Sequence, residues 1–126
     1  MKEEELKWRL KSMALRVIRL VQSLPKNLSA EVIGRQLIRS ATSVAANYYS
    51  ACKARSKADF LNKLGIVEEE ADETHLWIEL IVESGLMNEN RLRNLTKEVK
   101  EIVAIIAASR ITLKGLRSHG LSARDN

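Results

Sequence analysis

Basic side chains are the groups in this sequence whose type and spacing best suit binding chemistry. One set lies on or beside the second predicted helix and comprises Arg35, Arg39, Lys53, Arg55 and Lys57. Another lies on the fourth predicted helix and comprises Arg91, Arg93, Lys97 and Lys100. Such clusters neutralise phosphates in a manner that is sensitive to salt and indifferent to base sequence. The first set is therefore the predicted contact surface for RNA or DNA, and ordinary solvation with internal pairing is the alternative.

The charge of the chain is distributed unevenly. The 126 residues include 21 Lys and Arg and 16 Asp and Glu, which gives a formal net charge of +5. Residues 57–84 carry two basic and eight acidic side chains, whereas the other segments are net basic. We therefore expect the acidic third helix to neutralise part of the basicity inside the fold, which makes net charge alone a weak indicator of the partner.

Two patterns that carry chemistry in other proteins are incomplete here. Asp72 and His75 have the i, i+3 spacing of a metal-binding pair, but a di-metal bundle needs a second such pair and the only other histidine is His119. Cys52 has no histidine at a spacing that would activate it, and the sequence contains no phosphate-binding loop or nucleophile-elbow serine. We predict no catalytic residue, no metal and no cofactor, and therefore a non-enzymatic protein.

Composition restricts the fold class and the compartment. With five Gly, one Pro and 4% aromatic residues, the chain lacks the turns and β-forming residues of a sandwich or barrel. A lone cysteine excludes a disulfide scaffold and suits a reducing compartment. The first residues do not form a signal-peptide pattern, and no apolar run approaches the roughly 20 residues that span a bilayer. We expect a cytoplasmic protein without a membrane partner.

A few residues divide the chain into helices. Pro25 stops the first helix near residue 23, because proline excludes the helical conformation at the preceding position. Ser29 is the predicted N-cap of the second helix, and Ser56 is the predicted N-cap of the third. Gly85 is the predicted end of the third helix, since glycine adopts the left-handed conformation that closes many helices.

Apolar side chains recur within each segment at alternating spacings of three and four. The first helix, for example, carries Leu6, Leu10, Met13 and Val17. A period near 3.5 is typical of helices that pack along their length at a shallow angle. We predict an all-α fold, an up-down-up-down antiparallel four-helix bundle over residues 1–115. The last helix is expected to end at Lys114 and Gly115, before a flexible C-terminal tail of residues 116–126.

A second apolar stripe on the third helix predicts an interface. Leu76, Trp77 and Leu80 lie away from the stripe that contains Ile78 and Ile81. A monomeric bundle would leave this second stripe in water, and Trp and Leu exposed together are typical of protein interfaces. We therefore expect a homo-oligomer.

Polar residues occupy positions on the second helix where a core stripe would be expected, namely Gln36, Arg39, Ser43 and Asn47. If the second and third helices are antiparallel about residues 55–56, Arg39 faces Asp72 or Glu73. Ser43 then faces Glu68. The stripe is either a polar network that fixes the helix register or a groove for a ligand, and the sequence leaves both open.

Two linked blocks resemble a known family. Residues 36–47 are Gln-Leu-Ile-Arg-Ser-Ala-Thr-Ser-Val-Ala-Ala-Asn, and residues 54–60 are Ala-Arg-Ser-Lys-Ala-Asp-Phe. Further similar stretches follow in the third helix, so that the resemblance covers roughly residues 8–115. On these blocks the chain resembles the bacterial four-helix-bundle proteins encoded within intervening sequences of the 23S ribosomal RNA gene, whose biochemical role is not established.

The resemblance implies a closed homo-oligomer, a pentameric ring in particular, without enzymatic activity. The family is similar in fold to the accessory protein of diversity-generating retroelements, which binds nucleic acid and a reverse transcriptase through a basic surface. RNA or DNA is the implied partner, and a protein-interaction scaffold without nucleic-acid binding is the alternative. Where the family often has Glu shortly after Asn47, this chain has Tyr48 and Tyr49, which we expect at an oligomer interface or stacked on a base.

Overall fold

The fold consists of four long helices. The computed structural model describes residues 1–118, and its helices are α1 (Glu3–Gln22), α2 (Leu28–Ala51), α3 (Lys57–Glu83) and α4 (Glu89–Ser118). Each helix packs on the next one along the chain, and α4 closes the bundle through a smaller contact with α1. The predicted all-α, up-down-up-down four-helix bundle is confirmed over these residues.

A continuous apolar core runs along the bundle. Each helix contributes side chains at three- and four-residue intervals that are almost completely buried, such as Leu10, Met13 and Val17 of α1. Removal of this apolar surface from water, worth about 25 cal/mol per Å², is the main force that holds the helices together. Within the described residues, none of the helices combines the length and the apolarity that a membrane span requires.

Side-chain caps define where two of the helices begin. Asn27 caps α2, because its Oδ1 accepts a hydrogen bond from the backbone N–H of Ala30 at 2.9 Å. The prediction that Ser29 caps this helix is wrong, since the helix begins before Ser29 and Asn27 already supplies the oxygen at its N-terminus. The predicted cap of α3 is confirmed, since Ser56 Oγ accepts from the backbone N–H of Asp59 at 3.1 Å.

Gly85 ends α3 as predicted. Its φ of 78° lies in the left-handed region, where only glycine fits without strain. The Gly85 N–H donates to the Val82 carbonyl at 3.0 Å, and the Leu86 N–H donates to the Ile81 carbonyl at 3.1 Å. This pair of bonds satisfies carbonyls that the end of the helix would otherwise leave without partners.

The end of α4 differs from the prediction. The helix continues through Gly115 to Ser118, since a single glycine inside a helix costs only about 1 kcal/mol relative to alanine. The rest of the predicted tail, residues 119–126, lies outside the described residues.

Gly34 lies where α2 approaches α1 closely. It is buried, and a Cβ at this position would lie 2.8 Å from Cγ1 of Val21. Carbon atoms at van der Waals contact are about 3.5–4.0 Å apart, so no larger residue fits without movement. The spacing of these two helices therefore depends on a glycine at position 34.

Candidate nucleic-acid interface

A hydrogen-bonded polar seam joins α2 to α3. Ser40 and Thr74 are both fully buried, and Thr74 Oγ1 donates to Ser40 Oγ at 2.9 Å. Each hydroxyl is also within bonding distance of a carbonyl one turn earlier in its own helix. Because a buried polar group is costly unless it is bonded, this pair favours one alignment of the two helices.

Arg39 extends the seam towards the surface. Its Nη1 donates to Glu70 Oε2 at 2.8 Å, its Nη2 donates to Glu73, and its Nε donates to the Gln36 side chain at 3.1 Å. The hydrogen bond with Glu70 is the main cause that raises the pKa of Arg39. A phosphate at Arg39 would have to compete with two carboxylates, so this residue is less suited to an external contact than the sequence indicated.

The pKa of Glu70 is lowered by the same hydrogen-bond network. Burial opposes ionisation of this carboxyl group, but the hydrogen bonds from Ser43 and Arg39 outweigh burial and lower its pKa below the ordinary 4.5. The carboxylate is therefore ionised at neutral pH and held between two donors on the neighbouring helix.

The α2–α3 register agrees with the sequence prediction only in part. The predicted pair between Arg39 and Glu73 is confirmed. The predicted pair between Ser43 and Glu68 is wrong, because Ser43 bonds to Glu70 and Glu68 accepts instead from Arg110 of α4 at 2.6 Å. The two helices are shifted slightly along their axes, which is enough to change the side chain that each position faces.

Three of the predicted phosphate contacts gather at the turn between α2 and α3. Lys53 and Arg55 are exposed, and Lys57 is half-buried at the start of α3. Arg55 and Lys57 line one shallow depression together with Glu3 of α1. Within the described residues, neither Lys53 nor Arg55 forms an ion pair with a carboxylate. Their charges are therefore available to an external anion.

Arg35 lies apart from this turn on the outer face of α2. Its Nη2 donates to Glu31 Oε1 at 2.6 Å, but the Arg35 side chain is 77% exposed. An exposed ion pair of this kind contributes about 0.2–1 kcal/mol and is screened by salt. Exchange of Glu31 for a phosphate is therefore inexpensive.

The predicted interface residues occupy different environments. Leu76 and Leu80 are 45% and 36% exposed and lie one turn apart on α3. Trp77 packs partly on the core, and its Nε1 donates to Glu73 Oε1 at 3.3 Å. The two leucines thus form an outward apolar patch, and the tryptophan lies at its edge towards α2.

The two tyrosines differ from each other. Tyr48 is only 6% exposed and belongs to the core of its own subunit. Tyr49 is exposed, and the Lys7 ammonium of α1 lies 5.3 Å from the centre of its ring, within the range of a cation–π contact. A base or a second subunit can therefore reach Tyr49, whereas Tyr48 packs inside the bundle.

An outward patch on α1 has no counterpart in the sequence prediction. Trp8 and Leu15 are 68% and 43% exposed, and their spacing of seven residues places them on one helix face. The signal was present in the sequence, because both residues lie on the side of the helix opposite the Leu10 and Val17 stripe.

The groups considered for catalysis or metal binding are separated or neutral. His75 pairs with Glu79 of its own helix at 3.5 Å, and residues 1–118 contain no group of three or more His, Cys, Asp or Glu side chains placed to hold a metal. Burial raises the pKa of the Cys52 thiol and of the neighbouring Tyr48 phenol. Both therefore stay protonated at neutral pH, which makes Cys52 a poor nucleophile.

Comparison with known proteins agrees with this architecture. Residues 4–108 match the family described as 23S rRNA-intervening sequence protein. A solved structure of a protein with unknown function from the S23 ribosomal protein family of Bacteroides thetaiotaomicron VPI-5482 is 31% identical in sequence, with a TM-score of 0.80. The match covers 87% of this chain and 98% of that one. Among curated proteins the chain has no significant match.

Proposed function

The chain belongs to the family of 23S rRNA-intervening sequence proteins, and we propose that it is a non-enzymatic protein that binds RNA through a basic surface. The observation that carries this proposal is the pair of exposed cations at the α2–α3 turn, Lys53 and Arg55, which no described carboxylate neutralises. Lys57 and Arg35 extend the surface, whereas Arg39 is held by Glu70 and Glu73 and is not counted among the contacts. The description of the family names 23S rRNA, and RNA is therefore the nucleic acid that we propose.

The physical basis of binding is the release of counterions from the phosphate backbone. Because counterions are released, the log of the affinity falls as the log of the salt concentration rises. For a single strand, each cation that replaces a counterion makes this slope steeper by about 0.7. The proposed contacts involve no base-reading side chain in a groove, so binding is expected to tolerate many sequences. A flexible single strand suits the small surface at the turn better than a rigid duplex does.

A paired set of variants tests the assignment. Lys53→Gln with Arg55→Gln removes two of the proposed contacts, and Lys11→Gln with Lys100→Gln removes the same charge from exposed positions on α1 and α4. Fluorescence anisotropy with a labelled single-stranded RNA should show a salt slope about 1.4 smaller for the first variant only. Equal weakening in both variants would show that the turn is not the contact surface.

We also propose that copies of the chain assemble into a closed ring, with five subunits as the expected number. Exposed apolar side chains lie on several outer faces, among them Trp8 and Leu15 on α1 and Leu76 and Leu80 on α3. These helices are diagonal in the bundle, since each packs between α2 and α4. A two-fold dimer buries the same face of both copies, whereas a ring joins two different faces. The pair of faces therefore supports a ring.

A protein-interaction scaffold is the second candidate function. It is favoured by the same apolar faces, because a partner polypeptide can cover such a patch as well as another copy can. It predicts a polypeptide that co-purifies in fixed ratio and RNA binding that is weak and insensitive to salt. We place either activity in the cytoplasm, where the free thiol of Cys52 stays reduced.

A further inference from the structure

Three arginines surround one depression at the end of the bundle that lies away from the α2–α3 turn. Arg16 and Arg19 come from the last turns of α1, and Arg91 comes from the first turn of α4. The floor of the depression is apolar and includes Leu20 and Leu92. Arginines from two helices thus line a single depression.

These three arginines differ from three others that join neighbouring helices. Arg9, Arg39 and Arg110 each bond to a glutamate of a neighbouring helix, namely Glu98, Glu70 and Glu68. In contrast, no acidic side chain lines the depression. Within residues 1–118, none of Arg16, Arg19 and Arg91 forms an ion pair.

Helix stability does not explain the position of Arg91. The N-terminus of a helix carries a partial positive charge, which favours acidic residues in the first turn and disfavours basic ones. The first turns of all four helices carry acidic residues in agreement with this rule, and Glu89 is the one in α4. In α4, Arg91 follows Glu89 in the same turn, so the helix dipole does not favour its position, and it lines the depression together with Arg16 and Arg19 of α1.

We propose that this depression binds a phosphate group. The planar guanidinium donates in a fork that matches two phosphate oxygens, so three of them can satisfy a tetrahedral anion from different sides. The apolar floor beside them suits the carbon skeleton that carries the phosphate. The ligand is either a small free phosphate compound or a backbone phosphate of RNA, which present the same chemistry to the arginines. The site lies at the opposite end of the bundle from Lys53 and Arg55 and does not depend on the function proposed for them.

The test compares two variants that lose the same charge. The site variant carries Arg16→Gln, Arg19→Gln and Arg91→Gln, and the control carries Lys11→Gln, Lys97→Gln and Lys100→Gln on exposed positions outside the depression. Circular dichroism checks the fold of both. If the triple site variant does not fold, Arg19→Gln alone replaces it, because Arg19 is exposed at the surface. A conservative variant with Arg16→Lys, Arg19→Lys and Arg91→Lys keeps the three positive charges. It loses the planar guanidinium groups that donate to two phosphate oxygens.

Pyrophosphate and a short single-stranded RNA serve as probes. Pyrophosphate binding by calorimetry should be at least about tenfold weaker in the site variant than in the control, since each lost charge-assisted bond is worth about a tenfold change. The lysine variant should lie between them. If the site variant binds RNA more weakly than the control but binds pyrophosphate equally well, the occupant is a backbone phosphate. If the site variant binds pyrophosphate more weakly than the control, the occupant is a small phosphate compound.

Two outcomes distinguish this inference from the proposed function. Selective loss of pyrophosphate binding in a protein that binds no RNA would support the phosphate site and refute the RNA-binding function. Equal binding of both probes by the site variant and the control would overturn the phosphate site, whatever the effect of Lys53→Gln with Arg55→Gln.

Discussion

The hydroxyl groups of Ser40 and Thr74 lie in the fully buried interior, where Thr74 donates to Ser40. Thr74→Val keeps the shape of the side chain and removes its hydroxyl, so that Ser40 loses its partner across the helices. We expect a loss of about 1–2 kcal/mol in the free energy of unfolding, measured by urea denaturation. The double variant with Ser40→Ala should lose less than the sum of the two single variants, and strict additivity would contradict a coupled pair.

Glu70 gives the seam a dependence on pH. Its pKa is lower in the folded chain than the ordinary 4.5, so its contribution to stability is complete above that pH and is lost as pH falls through the folded pKa. Glu70→Gln removes this contribution. The difference in unfolding free energy between wild type and variant should therefore shrink when the pH is lowered below 4.5. A difference that stays constant or grows in acid would contradict the network around Glu70.

The sequence identified one side of this seam better than the other. Arg39 and Ser43 stood out because they are polar at positions where helix α2 was expected to be apolar. Their partner Glu70 did not, since it lies within a run of acidic residues in which any member could face α2. Which of these acidic residues faces α2 depends on a small shift of register between the two helices. The spacing of residues within one helix does not reveal that shift.

At the level of the helices, Gly34 tests how closely α1 and α2 approach. In an exposed helix Gly→Ala stabilises by up to about 1 kcal/mol, but here the new Cβ would meet Val21. The control is Gly65→Ala, whose Cβ would lie 3.6 Å from the Arg110 guanidinium in ordinary contact. Thermal and urea unfolding should separate the two variants by at least about 1 kcal/mol, with Gly34→Ala the less stable. Equal stability would contradict the close approach.

Helix existence and order followed from the sequence, whereas some boundaries did not. Pro25, Ser56 and Gly85 act through local backbone chemistry, so their effects could be predicted without knowledge of the fold. Asn27 and Ser29 can both cap a helix. Which of the two residues lies at the start of α2 depends on the path of the preceding loop. The extension of α4 past Gly115 likewise depends on more than the preference of one residue.

For the whole molecule, the outward apolar faces predict assembly. Light scattering after size exclusion should give a mass five times the 14.2 kDa subunit. Leu76→Glu with Leu80→Glu places charges in the proposed α3 face and should yield monomers, because burial of an unpaired charge is costly. Leu28→Glu, at an exposed leucine outside both faces, should keep the wild-type mass. A wild-type protein that elutes as a 14.2 kDa monomer would contradict the ring.

The distribution of charge over the whole subunit explains why the net charge predicts so little about function. Several arginines bond to glutamates of neighbouring helices, while Lys53, Arg55 and the three arginines around the α1–α4 depression do not. The amino-acid composition counts paired and unpaired basic residues alike. Only the packing of the helices shows which of them are paired. The candidate turn surface could be predicted because its residues are close in sequence, whereas Arg16 and Arg91 are brought together by the fold.

The salt dependence of RNA binding by the wild-type protein tests the central claim most directly. Anisotropy with a labelled single-stranded RNA would be measured over a series of salt concentrations. With Arg35, Lys53, Arg55 and Lys57 in contact with phosphates, the log of the affinity should fall against the log of the salt concentration with a slope of about −3 for each subunit engaged. An affinity that does not change with salt, or no binding at the lowest salt concentration, would contradict the proposed function.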